Sequence, residues 1–161
     1  MDLNLLLCDL GLLSDSCEEF ISDLNRYLNT RGTRVTVFVD ASDEVIKKEK
    51  IAFAKHSSRI AAYLYSSDEI VSRLSIALCE ADNEMDVDLF SVLSPILNEF
   101  YSFRKSTSEY VCKNEKVLSG GSEFSYSALI GNTRNYIATV ASLLSNISEA
   151  MLKLRKMYFD I

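Results

Sequence analysis

Side chains able to do acid–base, nucleophilic or metal chemistry are few in this 161-residue chain and lie far apart. There is one histidine, His56, and there are four cysteines, Cys8, Cys17, Cys79 and Cys112. A nucleophile, a base and an orienting acid would have to assemble around that single imidazole, and no motif supports such a site. A carboxylate-bridged di-metal centre in a helical bundle needs Glu-x-x-His pairs on facing helices, and the residue three before His56 is Phe53. The run Lys55-His56-Ser57 reads instead as an exposed or capping stretch. The cysteines form no C-x-x-C pair, and one histidine is too few to complete the common zinc patterns. They read as buried free thiols of a protein kept in a reducing, cytoplasmic compartment. No catalytic residue, cofactor or metal ligand is assigned.

Three local patterns come closer to known chemistry and fail in detail. Asp82, Glu84, Asp86 and Asp88 alternate like calcium ligands, but the sixth position is Val87 instead of glycine, and Leu93 stands where a bidentate glutamate belongs. A solvated acidic turn, favourable to the positive end of the following helix, accounts for them. Gly120-Gly121 lacks the spacing and the lysine of a phosphate loop and reads as a turn. Asn146-Ile147-Ser148 matches the glycosylation acceptor pattern but falls inside a strong helical repeat.

What remains is contact chemistry. Aromatic residues gather in Phe100-Tyr101-Ser102-Phe103, Tyr110, Phe124, Tyr126, Tyr136 and Tyr158-Phe159, more than one helical seam can bury. Tyr101, Tyr126 and Tyr136 are the candidates for a partner-binding surface, because tyrosine joins a large contact area to a polar tip. Val35, Val37 and Phe38 are a second candidate group, as an open edge available for pairing. The net charge of −6 opposes general binding to nucleic acid. Lys48, Lys55 and Arg59, and the cluster Lys153, Arg155 and Lys156, read as solvated basic faces.

The elements that must position these groups are legible from apolar spacing. Leu3, Leu6, Leu10, Leu13, Cys17, Phe20, Leu24 and Tyr27 alternate three and four residues apart, the seam of a helix packed at a shallow angle. Gly11 and Ser14-Asp15-Ser16, with Glu19 completing a capping box on Ser16, mark a possible break. Asn29-Thr30-Arg31-Gly32 supplies a stop, and the β-branched run from Thr33 to Val39 predicts a short extended connector. Ser42-Asp43-Glu44 opens a second helix, which carries apolar positions from Ile46 to Leu78 with breaks offered at Ser57-Ser58 and Ser66-Ser67. A third follows the acidic stretch along Leu93, Ile96, Phe100, Phe103, Thr107 and Tyr110; Pro95 either kinks it or sits in its first turn. After Ser119-Gly120-Gly121-Ser122 a fourth shows the cleanest repeat, from Ile130 to Tyr158.

The expectation is a single all-α domain over residues 1–161, an antiparallel bundle of about four long helices with one extended segment near 33–39. The rival is an α/β N-terminal half, with strands at 3–8, 35–39 and 60–65, followed by two long helices. No run approaches the roughly eighteen uninterrupted apolar residues of a spanning segment, and the N-terminus lacks a basic region and cleavage site, so no integral membrane segment is expected. The functional expectation is a non-enzymatic protein–protein interaction module, adaptor-like, chaperone-like or regulatory, engaging a protein partner or a second copy. The alternative is a small enzyme or ligand-binding domain with its site near His56.

Overall fold

A computed structural model describes residues 2–37 and 42–159. Four long helices account for almost all of them: α1 (Leu3–Val37), α2 (Asp43–Asn83), α3 (Val87–Leu118) and α4 (Tyr126–Tyr158), with one 3-10 turn at Gly121–Glu123. Each helix packs against two others, α1 on α2 and α4, and α3 on α2 and α4, which closes a four-cornered bundle. Cross-contacts set every neighbouring pair antiparallel. Asp9 meets Arg73 and Arg31 meets Glu49 between α1 and α2. Likewise Tyr110 meets Thr133 while Asp86 meets Tyr158 between α3 and α4.

The three-and-four spacing becomes the core. Leu6, Leu10, Leu13, Cys17, Phe20, Leu24 and Tyr27 are all buried on one face of α1, with Leu93, Phe100 and Phe103 of α3 and Val140, Leu143 and Ile147 of α4 among the side chains opposite. By length and composition alone α4 is also apolar enough to cross a membrane, which a search for unbroken apolar runs misses because polar residues interleave. In the bundle its buried positions, Leu129, Thr133, Tyr136, Val140, Leu143, Ile147 and Leu154, are packed inside.

Three expectations are corrected. No strand occurs among the described residues, so the α/β arrangement falls: 3–8 and 60–65 are interior parts of helices. The extended connector is also absent over its described part, since α1 runs through Thr33 to Val37; residues 38–41 lie outside the described residues. The reason is tertiary. Arg31, one turn earlier, is buried against Glu49 of α2, and this anchor outweighs the β-branched propensity that follows it. Finally, neither α1 nor α2 breaks. Ser58 donates to the Ala54 carbonyl at 3.1 Å and Ser67 to that of Tyr63 at 2.9 Å, so these hydroxyls bond back to the preceding turn instead of ending the helix.

The ends follow capping chemistry. Ser42 accepts from the Val45 backbone amide at the start of α2, Asp86 from Leu89 at the start of α3 and Ser125 from Ala128 at the start of α4. Pro95 stands two turns inside α3 rather than in its first turn.

Candidate partner-binding surface

Of the residues singled out from the sequence, the structure leaves Tyr101 on the surface, 57% exposed, and buries Tyr126 and Tyr136 to 8% and 3%. The assignment of those two tyrosines to a partner-binding surface is therefore corrected. Val35 and Val37 fall in the last turn of α1, and their side chains, with the whole of Phe38, lie outside the described residues. Tyr136 is inside because its polar tip has a partner there. Its ring stacks on Tyr110 with centroids 4.3 Å apart, and its hydroxyl lies 2.7 Å from Thr107 Oγ1.

His56 also departs from expectation: it is buried, not exposed or capping. Its ring stacks on Tyr27 with centroids 3.9 Å apart and planes nearly parallel, and Nε2 lies 3.0 Å from the Tyr110 hydroxyl. Donor bookkeeping assigns the tautomer. Thr133 Oγ1 donates its one proton to the Leu129 carbonyl at 2.7 Å, so Tyr110 donates to Thr133 at 3.0 Å, and His56 donates through Nε2–H to Tyr110. Burial first, then the charges of Arg31 and Arg59, lower the imidazole pKa to about 4, and the ring is neutral near pH 7. Burial chiefly pushes Tyr27 up to about 12, and raises Tyr110 and Tyr136 as well.

Next to this stack, Arg31 donates from Nε to Glu49 at 2.9 Å and from Nη1 to the Tyr27 carbonyl, while its guanidinium lies 4.0 Å over the Tyr27 ring. Removing either partner of this buried pair would leave the other charge uncompensated. Together these groups form a buried polar layer joining all four helices, and sequence spacing carried no signal for it. His56 borders none of the described hollows. Among the thiols only Cys17 is buried, with Sγ 2.8 Å from the Tyr63 hydroxyl; Cys8, Cys79 and Cys112 are exposed, against the expectation of four buried thiols.

The opposite end of the bundle, where α1 begins, α4 ends and α2 turns into α3, has a different character. Leu5, Ile76, Met85, Val87, Leu152 and Met157 are exposed there, with Phe90 on the border. Met85 is the most exposed, at 85%, and its φ of 56° puts a non-glycine residue in the left-handed region. It occupies the turn closed by Asp86 N–H to the Ala81 carbonyl and Met85 N–H to that of Asp82, a helix stop in which glycine is usual. A costly backbone therefore presents an apolar side chain to solvent.

Beside this turn the seam between α1 and α2 opens into a groove of about 490 Å³. Leu5, Leu6, Ile76 and Ala77 supply its apolar walls. Asp2, Glu80 and Glu84 bring carboxylates to it, and its one guanidinium, Arg73, is held by Asp9 at 2.9–3.1 Å and by Glu69 at 3.1 Å. A second hollow of about 390 Å³ continues the seam past Phe20 and Tyr63. The alternating acids foreseen as a solvated turn have partly local duties: Asp86 caps α3 and accepts from Tyr158 Oη at 3.0–3.1 Å.

Comparison with protein-family models, with curated protein sequences and with solved structures finds no match to this chain.

Proposed function

We propose that the chain is a non-enzymatic protein-interaction module whose contact surface is the apolar end of the bundle at the α2–α3 turn. The observation that carries this reading is the pair of exposed apolar residues in the groove wall, Leu5 and Ile76, with exposed Met85 and Val87 in the turn that follows the groove's Glu84, Met85 in an unfavourable backbone conformation. Soluble domains scatter single exposed apolar residues, whereas clustered ones beside an open groove serve recognition. The partner is a protein, not nucleic acid, since the net charge is −6 and the groove is acidic. A cytoplasmic setting fits the three exposed free thiols.

Affinity capture from extract of the source cells tests the reading, with wild-type chain, an Ile76→Asp/Val87→Asp variant and an Ile51→Asp control as baits. Ile51 is also exposed but lies near the other end of the bundle. The expected result is a stoichiometric protein partner held by wild type and control and lost from the double variant. Equal capture by all three, or none by wild type, would overturn the proposal.

A further inference from the structure

We infer that two copies of this chain pair antiparallel through the outward face of α2. The inference goes beyond the contact at the apolar end of the bundle and does not depend on it. α2 packs on α1 and α3, and its remaining side is left to solvent. On that side Ile51, Tyr65 and Ile76 are 54%, 83% and 60% exposed. At about 100° per residue they fall within about 40° of one another around the helix axis. Ala54, Ser58, Ala61 and Ser72 stand between them, all exposed and uncharged, and Glu69 is the one charge on the line. The steps of three and four residues are those of a helix seam, whereas a face that meets only water carries charged side chains.

Charge selects a second copy as the occupant. From Asp43 to Arg59 five exposed cations stand against two exposed acids, and from Glu69 to Glu84 four exposed acids stand against one arginine. A face positive at one end and negative at the other complements its own reverse. Tyr65 lies near the middle of the line, about 21 Å from Ile51 and about 17 Å from Ile76 along the helix. A twofold axis crossing α2 at Tyr65 therefore sets Ile51 beside Ile76 of the other copy. It also sets Lys48 beside the other Glu80 and Arg59 beside the other Glu69, each contact occurring twice. The same register brings Lys55 toward Arg73 and Glu44 toward Glu84. Both like-charge encounters carry their own counter-ions, since Arg73 is held by Asp9 and Glu69, and Lys48 lies 3.9 Å from Glu44.

The test is a charge exchange read by light scattering across a concentration series. Wild type is expected to rise from the 18.1 kDa monomer mass to twice that value, and to pair more weakly in high salt. Lys48→Glu/Arg59→Glu and Glu69→Lys/Glu80→Lys should each weaken pairing at least about tenfold on their own, since like charges then face each other at both ends. Mixed one to one, the two variants should regain the dimer, because both ends of the mixed pair are again opposite in sign. Tyr65→Asp sets two carboxylates at the axis and should abolish pairing, while circular dichroism shows that each variant keeps its helix. A wild type that stays monomeric to the highest concentration, charge variants that pair as well as wild type, or a mixture that stays monomeric would overturn the inference. A dimer kept in Tyr65→Asp but lost in Ile76→Asp/Val87→Asp would move pairing to the apolar end of the bundle and overturn it as well. The two surfaces are read separately, because Tyr65→Asp should lose the dimer and still capture the protein partner.

Discussion

At the scale of single side chains, His56 shows how burial converts a reactive group into a structural one. Its imidazole lies between Tyr27 and Tyr110, with Phe53 tilted against it and Arg31 and Arg59 as the nearby charges. The folded pKa, about 4, is below the ordinary value of 6.5, so as pH falls the unfolded chain takes up the proton first. The His56 contribution is therefore complete above about pH 6.5, is lost progressively toward pH 4, and is constant below that, a change of about 3 kcal/mol. His56→Phe keeps the stack and has nothing to titrate. Urea midpoints measured from pH 7 to 4 are expected to fall less steeply for this variant than for wild type; identical slopes would mean that the imidazole is not buried neutral.

At the scale of elements, the turn between α2 and α3 combines a strained residue with two satisfied helix ends. The Glu84 N–H closes the end of α2 on the Glu80 carbonyl and Asp86 caps the start of α3, but Met85 stands where glycine relieves the left-handed backbone. Met85→Gly is expected to stabilise the protein by about 1 kcal/mol, raising Tm by roughly 2–4 °C. The same substitution removes the most exposed apolar side chain of the proposed surface. A higher Tm in thermal unfolding together with weaker partner capture would be the trade expected where strain is kept for function. A lower Tm would mean that the Met85 side chain packs in a way its exposure does not show.

For the molecule as a whole, closure depends on the last helix. α4 packs on both α1 and α3, and its Val140, Leu143 and Ile147 are fully buried in the shared core. A chain ending at Leu118 would leave those faces of α1 and α3 against water. Such a chain is expected to lose the sharp, cooperative urea transition of the intact protein when followed by circular dichroism. A cooperative transition in the shortened chain would show instead that three helices suffice.

The all-helical class, the number of helices and most of their boundaries were legible in the sequence, because amphipathic spacing and capping are decided within one or two turns of chain. Leu6 to Tyr27 and Ile130 to Tyr158 carry that pattern openly. Only the tertiary structure decided how far α1 extends, which tyrosines face inward, how deep His56 lies and where the apolar end is. The first three depend on partners remote in sequence: Glu49 for Arg31, Thr107 for Tyr136, Tyr110 for His56. A polar side chain is buried when a hydrogen-bonding group on another helix stands about 3 Å away, and local sequence holds no record of that distance.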